Sequence, residues 1–337
     1  MDYINRLREK LIEEGYGRRY QKACLSYAEE LVNKDLPVIF DKKHLSLLMG
    51  IDNKKLSYYI VSSDVFYTEH IIPKSNGRYR EITMPSLHLK EIQRWILDNI
   101  LYRFCISGAA YGFVRNRSIK DNAAVHINQS SVINLDLKDF FPNIKFEQVF
   151  RLFHNSGYTK EISYSLAKLC TYNGVLPQGA PSSPYIANIL CNSLDKRILS
   201  LVSDFGYRYS RYADDITISG DEKVKGLIPS IIKIIESENF NINLKKMRIQ
   251  ENIPYKEITG LMVGETVKVK RKYKMKLEQH IYYCERYGVY SHLKEIKAEE
   301  RSYFKEYLFG MANFIKMIEP NEGQNYLDRL NKINWGY

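Results

Sequence analysis

The sequence predicts a mixed α+β fold, and three patterns lead to this class. Apolar residues recur at helical spacing in several segments, one continuous apolar run indicates a buried strand, and turn residues between short alternating runs indicate hairpins. A length of 337 residues with 45% apolar residues allows about two domains' worth of core. No internal repeat, low-complexity tract or proline- and glycine-rich linker interrupts the chain, so we expect one continuous fold.

The first hundred residues are predicted to be mainly helical, with one hairpin. Residues 1–60 have helical patterns, and the apolar spacing around Gly50 resembles a helix-turn-helix. Ordinary helical hairpins have the same spacing, so DNA binding by this segment is only one interpretation. Asn76-Gly77, between two runs of strand character, is the strongest short signal for a β-hairpin. The next helix is predicted from a single apolar stripe formed by Leu89, Ile92, Ile96 and Ile100.

The rest of the chain alternates between strands and helices. Strands or hairpins are predicted at 132–137, 207–219 and 258–269, and helices near 146–153, at 223–240 and from 273 onward. Ser183-Pro184 is a good N-cap and first-turn pair, which predicts a helix that continues to about Leu199.

Charge and aromatic content favour nucleic acid without deciding for it. The 50 Lys and Arg residues exceed the 39 Asp and Glu residues by 50 − 39 = 11, and tyrosine occurs 27 times. Cations meet phosphates and rings stack on bases, but a solvated basic protein with tyrosine-rich packing has the same totals. The composition excludes a disordered tail protein, a collagen-like repeat and a small disulfide scaffold.

The predicted location is a reducing cytoplasm, without membrane contact. The N-terminal residues lack the apolar stretch of a signal peptide, and no apolar run approaches the ~18 residues that span a bilayer. Five dispersed cysteines without a CxxC pair indicate neither a zinc site nor a disulfide framework. Cys170 and Cys191 stand among apolar residues and are expected in the core.

Two adjacent aspartates carry the clearest chemical signal. Asp214 and Asp215 stand at a predicted turn between strand-like flanks. Neighbouring carboxylates in a partly buried place repel each other, so a cation must compensate them, and Mg²⁺ suits carboxylates combined with substrate phosphates. An ordinary polar β-turn is the alternative interpretation of this pair.

A third aspartate strengthens the metal interpretation. Asp136 lies at the end of the apolar strand 132–137. If this strand lies beside the 207–219 hairpin, Asp136 joins the other two, and two metals roughly 3.5–4 Å apart could clamp the attacking and leaving oxygens of a phosphoryl transfer. Asp139 is an alternative ligand that ranks lower, because it follows the strand by three residues and can simply cap the turn.

No phosphate-binding glycine loop accompanies these carboxylates. The sequence has neither a GxxxxGKS/T loop nor a GxGxxG run at a strand end. Metals and basic side chains must therefore hold any bound nucleotide, and Lys74 and Arg80, on either side of the Asn76-Gly77 turn, are the candidates for binding a triphosphate.

Four segments, in order along the chain, resemble the motifs of reverse transcriptases. Tyr212-Ala213-Asp214-Asp215 is similar to the YxDD signature, and residues 136–141, 176–184 and 242–246 resemble the first catalytic motif, the LPQGxxxSP motif and the lysine motif. Within the family, the NAAVH run at 122–126 resembles the NAxxH motif of bacterial retron reverse transcriptases. Ile258-Thr259-Gly260 resembles their VTG motif, with Ile in place of Val.

The resemblance implies an α+β right-hand polymerase fold with fingers, palm and thumb. N-terminal helices and fingers would occupy residues 1–130, with further fingers elements within 140–200. The palm, an antiparallel sheet plus helices, would occupy 131–265, and a small helical thumb 266–337.

The resemblance also implies the active-site residues. Asp136, Asp214 and Asp215 would bind two Mg²⁺ ions, or Mn²⁺, together with the backbone of Leu137. The residues implied to contact the dNTP are Lys74, Arg80, Phe141, Gln178 and Lys246. The Phe141 ring would exclude a ribose 2′-OH, although a core position explains an aromatic residue equally well. Lys246 would neutralise the leaving pyrophosphate, with the adjacent Lys245 as a rival.

Contacts to RNA and DNA are implied in two regions. The first contains Asn122, His126, Thr259 and Gly260; His126 alone could be catalytic, a metal ligand, a structural donor or an RNA contact. The second is the basic run 268–276, where Lys270, Arg271, Lys272 and Lys274 would meet duplex phosphates. A solvated basic linker is the alternative for this run.

The function implied is an RNA-directed DNA polymerase of retron type. As a family, retrons prime on a guanosine 2′-OH of a cognate noncoding RNA (msr–msd) and make branched msDNA from dNTPs. They act in anti-phage defence beside an effector or toxin protein. A non-retron reverse transcriptase, related to group II intron or other defence proteins, and an inactive RNA-binding scaffold are the alternatives.

Overall fold

The structure is a computed structural model that describes residues 2–73, 79–297 and 303–336. Its strands are β1 (Tyr67–Pro73), β2 (Tyr79–Pro85), β3 (Ser131–Lys138), β4 (Arg208–Tyr212), β5 (Asp215–Gly220), β6 (Asn241–Ile242), β7 (Arg248–Gln250), β8 (Lys256–Ile258), β9 (Leu261–Val263) and β10 (Val267–Lys268).

The α-helices within these ranges are α1 (Asp2–Glu13), α2 (Arg18–Asn33), α3 (Lys42–Met49), α4 (Asn53–Val61), α5 (Leu87–Asn99), α6 (Ile119–Ala124), α7 (Phe140–Asn143), α8 (Phe146–Asn155), α9 (Lys160–Cys170), α10 (Ser183–Leu190), α11 (Asn192–Ser203), α12 (Ile228–Ser237), α13 (Arg271–Tyr287), α14 (Val289–Glu295), α15 (Phe304–Ile318) and α16 (Pro320–Lys332). Helices and antiparallel strands thus form the predicted α+β fold.

The chain divides into two compact units, each assembled from separate stretches of sequence. Unit 1 comprises Met1–Phe113, Leu137–Arg197 and Lys233–Ile242, and unit 2 comprises Val114–Asp136, Ile198–Ile232 and Asn243–Tyr337. Three of the five boundaries between these stretches fall inside β3, α11 and α12.

In unit 1, local capping explains the helical pair around Gly50. Asp41 accepts a hydrogen bond from the His44 backbone N–H at the start of α3, and the Asp52 carboxylate caps α4 in the same way. Gly50 ends α3 with a φ of 66°, a left-handed conformation that glycine adopts without steric cost. Leu45 and Leu56 are fully buried, so the predicted helical hairpin is confirmed.

The strands of the predicted unit 1 hairpin are also confirmed. β1 and β2 pair antiparallel from Tyr67 opposite Pro85 to Pro73 opposite Tyr79, while Asn76-Gly77 lies outside the described residues. Next to this hairpin, the Thr83 backbone N–H donates to the Gln178 carbonyl over 2.9 Å. Gly179 has a φ of 139°, and a Cβ there would lie 2.6 Å from the Thr83 carbonyl oxygen. Only glycine allows this close approach.

The prediction of one helix from Ser183 to about Leu199 is wrong. α10 ends at Leu190, and α11 starts at Asn192. The Asn192 side chain accepts from the Ser107 backbone N–H and donates to the Cys105 carbonyl, so it is engaged by a neighbouring loop where the helix breaks. Because apolar spacing continues through the break, the sequence pattern does not reveal it. The N-cap position is occupied by Ser182, one residue before the predicted one.

The central strands of unit 2 are those predicted to carry the aspartates. β5 pairs antiparallel with both β4 and β3, and β7 pairs with β3 on its other side. Val132, Ile133 and Leu135 are buried, as are Ile216 and Ile218. Apolar packing of both strands therefore fixes their relative register, because a slip by one residue would turn every side chain to the opposite face.

Unit 2 also contains the C-terminal helices. β8, β9 and β10 form a three-stranded antiparallel sheet, and its buried Ile258, Leu261 and Val263 share one core cluster with Leu277 and Leu308 of α13 and α15. The predicted strand region 258–269 and the helices after 273 are thus confirmed. In the part of the chain that the structure describes, no helix is long and apolar enough to cross a bilayer.

We expect Gly179→Ala to lower the free energy of unfolding by about 2 kcal/mol or more, because it adds a methyl group at a positive φ against backbone. Gly226→Ala is the matched control, since a Cβ at Gly226 meets nothing within 4 Å. Urea unfolding of both variants checks this. Equal stability of the two alanine variants would contradict the close approach.

Candidate active site

The turn between β4 and β5 presents the two adjacent aspartates. Asp214 lies in the turn, Asp215 begins β5, and Ala213 adopts a left-handed φ of 57° that alanine rarely takes. The Arg211 guanidinium is fully buried and donates to the Ala213 carbonyl over 3.1 Å. This hydrogen bond stabilises the turn in which Ala213 has its strained conformation.

The third aspartate lies directly opposite this turn. In the antiparallel pairing of β3 with β5, Asp136 is the register partner of Asp215. Side chains at such opposed positions have Cβ atoms about 4.5–5.5 Å apart, and like charges there destabilise the pair. The sequence predicts that Asp136 lies beside Asp214 and Asp215 if its strand neighbours their hairpin. β3 does pair with β5 in unit 2, so this condition is met.

Basic side chains compensate part of this negative charge. Lys246 Nζ lies 2.5 Å from Asp136 Oδ1, and the lysine side chain is 60% exposed. Both residues belong to the wall of a pocket of about 290 Å³. The lining residues are Asn134, Leu135, Asp136, Asp215, Lys245, Lys246 and Arg248. Two carboxylates and three cations thus converge on one small, polar cavity.

The nearby cations do not fully compensate the negative charge around Asp215. Loss of solvation, followed by repulsion from Asp214 and Asp136, raises the pKa of Asp215 to about 6, against the opposing effect of Lys246 and Arg248. Asp215 is an exposed residue, and it contributes to the lining of the pocket. Such a carboxylate favours binding of a further cation.

The carboxylates fit a divalent metal by their chemistry. Mg²⁺ is commonly bound by one or two carboxylates together with substrate phosphates, and Asp136 faces Asp215 at such a position. Among the residues that the structure describes, no group of three or more His, Cys, Asp or Glu side chains is arranged to hold a metal ion by itself. A Mg²⁺ ion held by these carboxylates would leave coordination positions for substrate phosphates.

Two segments of unit 2 singled out by sequence meet each other. Asn122 Nδ2 on α6 donates to Thr259 Oγ1 over 3.3 Å, and Asn122 is 1% exposed. Thr259 and Gly260 form the turn from β8 to β9, with φ values of 44° and 83°. The contact joins α6 to this turn, so it gives both segments a structural role.

His126 joins the end of α6 to the sheet that carries the aspartates. Its Nδ1 lies 2.6 Å from Ser219 Oγ on β5, and its Nε2 lies 2.8 Å from Ser210 Oγ on β4. The ring is 1% exposed, which favours the structural alternative over an RNA contact. Burial, assisted by the nearby Arg208 charge, lowers the pKa of His126 to about 3, so the imidazole is neutral.

The basic run at 268–276 divides into paired and exposed residues. Lys270 pairs with Glu257 at 2.8 Å, and Lys274 pairs with Glu319 and Glu322 at 3.1 and 2.7 Å. The Lys274 side chain is only 18% exposed, so this lysine is engaged in the protein interior and is a poor phosphate contact. Arg271 and Lys272 are exposed at the start of α13 and can still meet phosphates.

Comparisons with known proteins agree with what the geometry of the site indicates. A family model described as reverse transcriptase (RNA-dependent DNA polymerase) matches residues 72–276. The Escherichia coli retron Ec86 reverse transcriptase is 34% identical to this chain over 89% of it and 96% of the relative. The chain belongs to the retron reverse transcriptases. It is therefore an RNA-directed DNA polymerase with the right-hand polymerase fold.

A second retron relative agrees with this assignment. The Myxococcus xanthus retron Mx162 reverse transcriptase is 32% identical over 86% of this chain and 66% of the relative. Among solved structures, telomerase from Candida albicans with a fragment of telomeric RNA has a TM-score of 0.45 and 12% identity. That similarity covers 79% of this chain and 63% of the telomerase chain. Sequence similarity to the two retron relatives over most of this chain thus confirms that the chain's motifs resemble those of the retron subgroup.

The remaining predicted residues of this reverse transcriptase lie in unit 1 or outside the described residues. The Phe141 ring is half-buried and contacts Phe140. Gln178 is half-buried beside β2. Asp139 is the N-cap residue of α7, with a φ of 48° and no side-chain capping hydrogen bond. Leu137 is buried and pairs with Ile242 of β6. Arg80 lies on β2, and Lys74 is outside the described residues. Their roles remain predictions.

Four residues of the site were not found from the sequence. Ser210 and Ser219 hold His126, while Arg211 supports the turn and Arg248 lines the pocket. Arg211 directly precedes the YxDD signature, so its place in the chain was a usable signal. The serines gave none, because their function depends on a partner 84 and 93 residues away.

Stability should depend on pH through His126. Since its folded pKa of about 3 is below the usual 6.5, only the unfolded chain gains this proton between those values. The contribution is complete above pH 6.5 and should fall by about 2 kcal/mol at pH 5. Urea unfolding of the wild type and of His126→Gln, which keeps neutral hydrogen bonding, measures the difference. Parallel pH curves for the two proteins would contradict a neutral buried imidazole.

Proposed function

We propose that this reverse transcriptase copies a cognate noncoding RNA into branched msDNA by two-metal nucleotidyl transfer. The observation that carries the chemical part is the register of β3 against β5, which brings Asp136 opposite Asp215 beside the Asp214 turn. Opposed carboxylates cost stability, and a catalytic need for divalent cations gives a reason to keep them.

The reaction joins the primer hydroxyl to the α-phosphate of a dNTP and releases pyrophosphate. Two Mg²⁺ ions, when bound, would assist hydroxyl deprotonation and offset charge on the leaving group. Asp136, Asp214 and Asp215 would hold them, with the Leu137 carbonyl as a further ligand. Mn²⁺ is a chemical substitute. Lys246, now 2.5 Å from Asp136, is exposed enough to turn towards the pyrophosphate.

Other side chains would select and hold the nucleotide. Lys74 and Arg80 carry the charge that a triphosphate requires, and they flank the tip of the β1–β2 hairpin in sequence. Gln178 belongs to a segment fixed by the Gly179 contact with β2, which supports a pre-formed wall for the nucleotide. Phe141 would exclude the ribose 2′-OH by its bulk.

RNA recognition would use the exposed parts of unit 2. Gly260 is exposed at a turn whose geometry the Asn122–Thr259 hydrogen bond supports, so this turn can present backbone to RNA. Arg271 and Lys272 supply free-standing charge for the phosphates of a duplex, whereas Lys270 and Lys274 stabilise the protein. We place fingers at 1–130 and 140–200, palm at 131–265 and thumb at 266–337.

The biological role we propose is anti-phage defence together with an effector protein. Support comes from the similarity to retron reverse transcriptases over most of the chain. The msDNA, with the reverse transcriptase bound to it, would hold the effector inactive in the cytoplasm.

Asp214→Asn with Asp215→Asn should abolish DNA synthesis, because the carboxylates that would bind the metals lose their charge. Extension of a primer on RNA with Mg²⁺ and dNTPs measures the activity. RNA binding should stay close to that of the wild type, and thermal unfolding should occur at the same or a higher temperature, because the variant removes repulsion between carboxylates. Undiminished synthesis by the double variant would contradict the metal assignment.

Lys246→Met should slow nucleotide incorporation at saturating dNTP by about tenfold or more, since a positioned proton donor or charge contributes at least that much. Lys245→Met is the matched control: it removes the neighbouring cation of the same pocket and should change the rate by about twofold at most. Single-turnover kinetics checks both. Equal effects would assign the contribution to general charge in the pocket.

Cells that express the native locus should contain DNA attached to RNA through a 2′ linkage. Extracted nucleic acid is treated with debranching enzyme, and the expected result is release of free DNA. The Asn double variant should yield none and should lose protection in a phage plating assay. Active polymerase without a debranching-sensitive product would contradict the retron function.

A further inference from the structure

The turn between α1 and α2 in unit 1 carries a pair of exposed, stacked tyrosines. The ring centroids of Tyr16 and Tyr20 are 4.9 Å apart, with an angle of 28° between their planes. The residues are 48% and 54% exposed. Aromatic rings usually bury most of their surface, so a stacked pair open to solvent presents a face that a third flat group can cover.

Local hydrogen bonds hold this pair in place. Gly15 ends α1 with a φ of 71°, and the Tyr16 backbone N–H donates to the Leu11 carbonyl over 3.1 Å. Gln21 Nε2 donates to the Tyr16 carbonyl over 2.6 Å. Because backbone contacts fix the turn, the stacked rings form a preorganised platform, which lowers the ordering cost of binding.

Three cations lie next to the platform in sequence, with Asp41 as a nearby carboxylate. The segment 16–23 contains Arg18, Arg19 and Lys22 and no acidic residue, and all three cations are exposed. The carboxylates that precede the turn, Glu13 and Glu14, pair with Lys10 at 3.4 and 3.2 Å. Lys10 thus offsets one of these two negative charges, and the three cations of α2 are exposed to solvent.

An open groove of about 570 Å³ adjoins Tyr20 of the pair, and it is lined by Gly17, Arg18, Arg19, Tyr20 and Ala23. Its size lies within the range of about 300–1,000 Å³ that is typical of ligand sites. We propose that this surface binds an unpaired stretch of RNA or DNA, with a base stacked on the tyrosine pair and phosphates held by Arg18, Arg19 and Lys22.

The observations favour a single strand over other partners. Base faces are available for stacking only where a strand is unpaired, and rings combined with a positive groove are the usual means of binding it without sequence preference. A duplex could use the cations but not the rings. The proposal goes beyond the proposed function and does not depend on msDNA synthesis.

The test uses the full chain and labelled 12-nucleotide probes, one of oligo-U RNA and one of oligo-dT DNA. An excess of unlabelled blunt-ended RNA–DNA hybrid occupies the duplex-binding surfaces, and fluorescence anisotropy measures the remaining affinity. Tyr16→Leu with Tyr20→Leu keeps apolar bulk but removes the aromatic faces. Arg18→Gln with Arg19→Gln removes charge only.

The two double variants should differ in their dependence on salt. Loss of the rings should weaken binding by about fivefold or more, with an unchanged slope of log affinity against log salt. Loss of the two arginines should also weaken binding and make that slope shallower by about 1.4, at about 0.7 per phosphate contact on a single strand. The probe bound more tightly identifies RNA or DNA as the ligand.

The controls come from α4 of the same unit. Lys54→Gln with Lys55→Gln removes two adjacent exposed cations, and Tyr58→Leu removes a tyrosine that is 57% exposed. Both control variants should have a probe affinity within about twofold of the wild type. All the variants should also extend a pre-annealed primer at a rate within about twofold of the wild type. Probe binding that the Tyr16/Tyr20 variant retains, or that the α4 controls reduce equally, would overturn the proposal. Absence of probe binding in the wild type would do the same.

Discussion

The opposition of Asp136 and Asp215 across β3 and β5 is the constraint on which the candidate active site depends. Two carboxylates at one register position repel each other, and loss of solvation together with this repulsion raises the pKa of Asp215. Packing of the apolar residues on both strands supplies the stability that offsets the repulsion. Lys246 and Arg248 reduce the repulsion without removing it, so the remaining negative charge of the site favours binding of a further cation.

The pairing of β4 with β5, whose turn carries Asp214 and Asp215, is supported by more than apolar packing. His126 contacts both strands as a neutral ring whose two nitrogens each meet a serine hydroxyl. A slip of either strand by one residue would turn its serine away and leave a buried nitrogen without a partner, at a cost of about 1–3 kcal/mol. The same short helix reaches the β8–β9 turn through Asn122. The segment of α6 and His126 thus connects the β4–β5 hairpin to the β8–β9 turn.

Sequence was sufficient where the signal was local. The β4–β5 hairpin, the buried β3 and the helix with Leu89 and Ile92 follow from periodicity, and the ordered motifs by themselves indicated the retron subgroup. Sequence patterns failed where a distant partner decides the outcome. The break at Cys191 depends on loop contacts of Asn192, and the burial of His126 depends on two serines in another part of the chain. Apolar spacing contains no record of such contacts.

The net charge illustrates the same limit at the level of single residues. A balance of +11 favours nucleic acid as a partner, yet it does not say which lysines would meet that partner. Lys274 is held by Glu319 and Glu322, which follow it by more than forty residues, whereas the neighbouring Lys272 stays exposed. Both occur in one basic run and have the same chemistry. Because their difference arises only when α13 packs beside the start of α16, the charge available to nucleic acid is a property of the fold.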